Sequence, residues 1–246
     1  MNRVPSIAIR KPFFGIVAAL TKNRVIGVNG KLPWKPNSIP QDKEHFVNLT
    51  KNNVLILGRK SFAEEDPTGA HVNHVRVCIV VSRTMSASDL TDRNNNRSGS
   101  IIGNNGDNDG DCSRSSPEVK LARSFDEALD MASKELIPPA KNTTGNDDDD
   151  RGRCKNFTKN NDDAIQCWVG GGERIYKEAL GHDNASVVQL THVDMTVDLD
   201  KQRESSTKRS ATSSFAFFPL EYLERSGFQE VSKVNSGMCT FSTYKR

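Results

Sequence analysis

IQCWVGGGERIYKEAL (residues 165–180) reads as a buried strand over 165–171 that runs into three glycines and then a helix over 173–180. An apolar run that stops at glycine and turns at once into a helix is one unit of a parallel sheet covered on both faces. The same grammar recurs on either side. FFGIVAAL (13–20), VLILG (54–58) and RVCIVVS (76–82) are further buried-strand runs, and SVVQLTHVDMTVD (186–198) is a long strand. IPQDKEHFVNLT (39–50) and SFDEALDMASKEL (124–136) read as helices, the second with a cap at Ser124. SGFQEVSKV (226–234) and GMCTFSTYK (237–245) alternate as an antiparallel pair does. The expected fold is α/β, a mostly parallel central sheet with an antiparallel C-terminal edge and helices on both faces.

Three tracts interrupt this pattern. Residues 84–118, 137–162 and 201–215 are rich in Asn, Asp, Ser, Gly and Lys, and they hold the apolar share of the 246 residues to 35 %. Such tracts bury too little to offset the entropy of ordering them, so they are expected to be flexible insertions between elements. The expected organisation is one domain over 12–246 carrying these insertions, with 1–11 as an N-terminal extension. The extension is basic but has no apolar stretch of signal-peptide length, and it reads as a ragged terminus rather than a targeting sequence. No apolar run approaches the roughly 20 residues that span a bilayer, so no membrane partner is expected. The five cysteines (Cys78, Cys112, Cys154, Cys167, Cys239) are odd in number and show no CxxC spacing, which argues against a disulfide framework or a metal site. A reducing compartment fits, with the cytoplasm expected and an organelle the alternative. Net charge is +3, scattered, and offset by the acidic run at 147–150, so nucleic acid is not an expected partner.

The chemistry is expected at the strand ends. VLILG runs into Gly58-Arg59-Lys60-Ser61, RVCIVVS ends at Ser82-Arg83, and IQCWV runs into Gly170-Gly171-Gly172. In open α/β sheets ligands bind beyond the carboxyl ends of the strands; glycine admits phosphate to the backbone there and arginine offers a forked donor. Together these ends suit a phosphate-rich ligand of dinucleotide size, although the spacing is not the G-x-G-x-x-G fingerprint. On the 39–50 helix, Ser38 and Gln41 are spaced for a capping box with Pro40 in the first turn. The inward stripe is then Ile39, Asp42, Phe46 and Leu49, which sets a carboxylate on an apolar face. Asp42 either supports the helix N-terminus or meets a polar ligand edge with a raised pKa. VIGVNGKLPW (25–34) places Ile26, Leu32 and Trp34 among turn residues, including the Asn29-Gly30 pair, and reads as a mobile lid that excludes water.

These motifs, in this order, resemble the dihydrofolate reductase family. FGIVAALTKNRVIGVNGKLPW (14–34) is similar to its first strand and nicotinamide-side loop, PQDKEHFVNLT (40–50) to its first helix, LILGRKSF (55–62) to a cofactor element, RVCIVVSR (76–83) to the strand between folate and adenosine sites, WVGGGERIYKEAL (168–180) to its diglycine motif, LTHVD (190–194) to the strand whose threonine meets the acid, and FAFFPL (215–220) to a segment after its variable loop. The resemblance implies NADPH-dependent reduction of 7,8-dihydrofolate to 5,6,7,8-tetrahydrofolate, with antifolates such as methotrexate as ligands. It casts Asp42 as the essential acid, with Trp34 and Thr191 beside it as catalytic residues. Substrate contacts carried over are Val17, Ala18, Leu32, Asp42, Phe46 and Thr191, with Arg76 on the folate α-carboxylate. Cofactor contacts carried over are Ala19, Ile26 and Gly27; Gly58, Arg59, Lys60 and Ser61; Ser82 and Arg83; and Gly170, Gly171, Gly172, Glu173, Arg174, Ile175 and Tyr176. His192, alternating with Thr191, is a strand residue on the other face.

The chain also departs from the family. Three residues are added between Trp34 and Pro40, and the glycine motif is one residue longer before Tyr176. The family's cis peptide falls at Gly170-Gly171 or at Gly171-Gly172. Residues 63–75 match poorly. Some members are fused to thymidylate synthase, which makes a fused or associated synthase an expected partner. Two rivals stand beside this reading: a related reductase of riboflavin synthesis, which should lack the LPW lid followed by an inward acid, and a binding protein without turnover.

Overall fold

Strand β1 (Phe14–Thr21) runs through the middle of an eight-stranded sheet, as its unbroken apolar sequence requires. In this computed structural model residues 11–35, 37–64, 72–90, 117–136, 165–200 and 214–246 are described. The remaining strands of the sheet are β3 (Val54–Gly58), β4 (Val77–Val81), β5 (Glu118–Ala122), β6 (Cys167–Val169), β7 (Ala185–Val193), β9 (Gln229–Ser236) and β10 (Cys239–Lys245). Their order is β5-β4-β3-β6-β1-β7-β10-β9. Pairing is parallel from β5 to β7, and β10 runs antiparallel to both β7 and β9. The expected architecture is therefore present, including its antiparallel edge.

Strand alternation sends side chains into two layers. Ile16, Ala18 and Leu20 pack with α3 (Phe125–Leu136), α4 (Glu173–Leu180) and α5 (Leu220–Arg225). Val17, Leu55, Leu57 and Trp168 pack on the other side with Phe46 and Leu49 of α1 (Pro40–Thr50) and Phe62 of α2 (Arg59–Glu64). Each fully buried aliphatic or aromatic side chain contributes about 1.5–3 kcal/mol, so these layers hold the sheet. Ser124 caps α3, accepting from the Glu127 N–H at 3.1 Å. No helix among the described residues is long and apolar enough to cross a membrane.

The structure corrects several sequence expectations. The expected flexible tract 84–118 overlaps the fold at both ends, because Met85 and Leu90 are buried against the second layer and Glu118 starts β5, while 91–116 lies outside the described residues. Likewise 201–215 runs into the fold at its end, where Phe215 starts β8 (Phe215–Phe217). The tract 137–162, residues 1–10 of the 1–11 extension, Cys112 and Cys154 lie outside the described residues. The stretch 25–34 is not wholly a loop: Val25–Val28 forms β2, antiparallel to β8. Its Asn29-Gly30 pair makes a two-residue hairpin turn with both φ positive, 51° and 79°, closed by Val28 N–H to the Lys31 carbonyl at 2.8 Å. Cys78, Cys167 and Cys239 are buried and no disulfide joins them, and burial pushes the Cys167 thiol up to about 12, which keeps it protonated.

Candidate active site

The position of the acid follows from how α1 begins. Pro40 opens the helix, where its missing N–H loses no bond. The expected Ser38–Gln41 capping box does not form: Ile39 occupies the cap position without a side-chain bond, and Ser38 Oγ donates to the Lys35 carbonyl at 2.7 Å. Ile39 is only 6 % exposed, packed against Val193 and Cys239 with Trp34 and Phe241 around it. Burying that side chain outweighs an exposed cap bond of about 1 kcal/mol. Anchored there, the helix turns Asp42 toward β7.

Asp42 is half-buried, and the hydroxyl of fully buried Thr191 hydrogen-bonds to its carboxyl. Burial pushes the Asp42 carboxyl up to about 6, and the Thr191 bond offsets part of that rise. In the sheet register Thr191 lies between Ala19 on β1 and Phe241 on β10. Cys239 lies close enough that burial, and then the Asp42 charge, hold its thiol up as well. One helical turn along, the His45 ring stacks on Phe241 at 4.5 Å, and burial holds it below its ordinary pKa. Sequence reasoning missed His45, because a histidine three residues after an acid carries no signal until the partner strand is known.

The same face continues down α1. The Phe46 ring meets His74 edge-on at 5.6 Å. Thr50 Oγ1 donates its one proton to the Phe46 carbonyl at 2.7 Å and so accepts from His74 Nε2 at 2.6 Å. Beside them stands exposed Arg76, its backbone N–H on the Asn53 carbonyl at 3.0 Å. An acid and an aromatic ring thus follow one another along α1, and a cation stands two residues beyond the histidine that both Phe46 and Thr50 touch.

Across β1 lies a glycine corner. The Gly58 N–H, at the end of β3, donates to the Gly171 carbonyl at 2.6 Å. A Cβ on Gly58 would lie 3.2 Å from Ile175 Cγ1 and 3.3 Å from Gly172 N, so the corner depends on its absence. Gly171 has φ of +115°, and a Cβ there would lie 2.8 Å from the Tyr176 hydroxyl. The cis peptide is Gly171–Gly172, which decides between the two positions left open by the sequence. Tyr176 donates to the Val17 carbonyl at 2.9 Å, joining this corner to β1.

Register makes Gly58, Val81 and Ala122 neighbours, so Arg59, Ser82-Arg83 and Arg123 follow three adjacent strand ends. Arg59, Lys60 and Arg83 are exposed. Buried Ser82 accepts the Met85 N–H at 3.0 Å and the Thr84 N–H at 3.3 Å, which makes it the pivot of the turn. Arg123 was missed. Its Nη1 donates to the Met85 carbonyl at 2.6 Å and the Ser82 carbonyl at 3.2 Å. The signal was present as a strand followed by Ala122-Arg123-Ser124, but β5 lies at the sheet edge and next to a polar tract.

Some expected residues face elsewhere. The Ala18 side chain points into the α3–α4 layer, away from the Asp42 side of the sheet. Ile175 is core, 4 % exposed, and Arg174 is exposed and bonded to Glu178 at 2.8 Å. Glu173 directs both carboxylate oxygens at protein groups, the Lys177 ammonium and the Phe217 N–H. Val17, Ala19, Phe46 and Thr191 share the Asp42 side of the sheet. Ile26 packs on the opposite layer, Gly27 lies beside Ala216 of β8, Leu32 is half-buried, and Ser61 Oγ and Gly170 border the glycine corner.

Residues 13–102 match the family model described as dihydrofolate reductase. Over 194 residues, 76 % of the chain, it is 27 % identical to bifunctional dihydrofolate reductase-thymidylate synthase 2 of Arabidopsis thaliana. Over the same length it is 24 % identical to the dihydrofolate reductase of Aedes albopictus, covering 76 % of that protein. The chain spans 25–40 % of the length of the first curated relatives it matches. Its fold is similar to that of dihydrofolate reductase from Enterococcus faecalis complexed with NADP(H) and RAB-propyl, with a TM-score of 0.51, 18 % identity, and coverage of 96 % of this chain and 97 % of that one.

Proposed function

We propose that this chain is a member of the dihydrofolate reductase family, as its matches support, and that it reduces 7,8-dihydrofolate to 5,6,7,8-tetrahydrofolate with NADPH, serving one-carbon metabolism and thymidylate synthesis. The observation that carries the reading is Asp42, a half-buried carboxyl raised to about 6 and bonded to Thr191 on the same side of the sheet as Val17 and Phe46. A carboxylate in that setting suits a flat heterocycle that presents two N–H donors side by side, as the pterin 2-amino and N3 edge does.

The residues fit the cofactor too. Missing Cβ atoms let the backbone of Gly58 and Gly171–Gly172 pack into one tight corner, and exposed Arg59 and Arg83 stand at adjacent strand ends. When bound, NADPH supplies the hydride. Asp42 holds the pterin edge, its charge favours the protonated substrate, and Thr191 orients it. Phe46 lies along the aromatic part of the substrate, and Arg76 takes its α-carboxylate. Arg59 and Arg83 flank the adenosine 2′-phosphate, and Tyr176 lies toward the nicotinamide. Trp34, Leu32 and Gly27 cover the reacting face and exclude water. The synthase named in the bifunctional relatives supports a fused or associated thymidylate synthase as partner.

The test is direct. The purified chain should consume NADPH absorbance only when dihydrofolate is present, and methotrexate should stop it. Tight methotrexate binding without turnover would make the chain a binding protein instead.

A further inference from the structure

We propose that Glu173 is a positioning residue that ties β8, and through it the lid strand β2, to the start of α4, and so governs how firmly the nicotinamide side closes on NADPH. The inference rests on the reductase reading above.

Strands β2 and β8 form a separate two-stranded ribbon with three cross-strand pairs and an irregularity between Val25 and Gly27. A lone two-stranded ribbon is marginal in water, so its position depends on what fastens it. At the hairpin end Asn29 and Ser214 exchange two bonds, Asn29 N–H to the Ser214 carbonyl at 2.8 Å and Ser214 N–H to Asn29 Oδ1 at 2.9 Å. These bonds hold one strand to the other and do not fasten the ribbon to the body. At the far end, Phe217 lies opposite Val25 and donates its N–H to Glu173 Oε2 at 3.1 Å. Phe218, the next residue, donates to the Arg24 carbonyl at 2.9 Å and rests its ring on Tyr176 at 5.2 Å.

Glu173 directly follows Gly172 and starts α4. A helix start beside a glycine corner favours anions, so an uncommitted carboxylate there would compete with a cofactor phosphate. This carboxylate is committed: Oε1 takes Lys177 Nζ at 2.8 Å and Oε2 takes Phe217. Burial alone would raise its pKa, yet these two bonds hold it below the usual range. Glu173 therefore acts on the cofactor through β8 rather than by touching it.

The test compares wild type, Glu173→Ala and Glu173→Gln for NADPH affinity and for dihydrofolate KM. Alanine should weaken NADPH roughly tenfold, the scale of one hydrogen bond to a charged group, and leave dihydrofolate KM within about twofold. Glutamine should restore most of the loss, because its amide oxygen still accepts from Phe217. Equal NADPH affinity in wild type and alanine variant would overturn the tether, as would equal losses in both variants or equal effects on both substrates. Should the alanine variant not fold, amide exchange in wild type answers instead: the Phe217 N–H should gain protection on adding NADPH, and an unprotected amide overturns the proposal. A wild type that binds no NADPH overturns this inference and the reductase reading together, whereas an active wild type with unaffected variants overturns the tether alone.

Discussion

Asp42 and Arg83 are both candidate site residues and carry their charges under opposite conditions. Asp42 sits half-buried on α1, where burial makes ionisation expensive and lifts its carboxyl to about 6. Arg83 stands exposed after β4, where water solvates its charge fully until a ligand arrives. The first arrangement suits a group that must respond to protonation, and the second suits permanent recognition of an anion. The difference originates in the sheet. Asp42 is pressed against a layer of apolar strand residues, while strand ends project past the core by construction.

The comparison breaks first at Asp42. Asp42→Asn keeps the shape and removes the charge, and turnover at neutral pH should fall about 10²–10⁴-fold, with the loss shrinking as pH drops. A normal rate would reduce Asp42 to a helix-terminus charge. The same variant tests what burial costs. Asp42 has an ordinary value of 3.8 and about 6 in the fold, so the folded state binds the extra proton between those values. Its contribution to stability is present below the unfolded value and is lost as pH rises through about 6, by at most about 3 kcal/mol. In urea unfolding, Asp42→Asn should therefore be more stable than wild type at pH 8, and the gap should close toward pH 4. A pH-independent difference would mean that the carboxyl is not poised by burial.

On the exposed side, Arg83→Ala should weaken NADPH about 10- to 100-fold and leave NADH nearly unchanged, since a charge-assisted bond to phosphate is worth roughly 1.5–3 kcal/mol. Equal losses for both cofactors would move Arg83 off the 2′-phosphate. Added salt should weaken NADPH further, because exposed charges are screened, and should barely move the Asp42 titration. The smallest effect belongs to the seam between the two sides. Tyr176→Phe removes the 2.9 Å bond to the Val17 carbonyl and should cost about 1 kcal/mol in thermal unfolding. A loss confined to one ligand would assign the hydroxyl to that side alone.

Much of this was legible in the sequence. Continuous apolar strands bounded by glycine, and an acid within an apolar stripe, are local patterns, because alternation and helical periodicity are properties of the chain itself. They set β1, β3, β4, β6 and α4 within two residues at each end and singled out Asp42, whereas the strand expected over 186–198 ends at Val193. Pairing across long separations was not legible. Strand β2 looked like a loop because its partner Phe215–Phe217 lies almost at the other end of the chain. Strand β5 was passed over because an edge strand carries charge at alternate positions, as Glu118 and Lys120 do. The capping box at Ser38 failed because burying Ile39 outweighed it, and burial is decided by what packs opposite. The amino-acid sequence by itself determined the fold class, the acid and the glycine–arginine strand ends. Only the tertiary structure decided which carbonyls Arg123 holds, that Glu173 reaches β8, and that Asp42 titrates near 6, because desolvation and long-range hydrogen bonds exist only once distant segments meet.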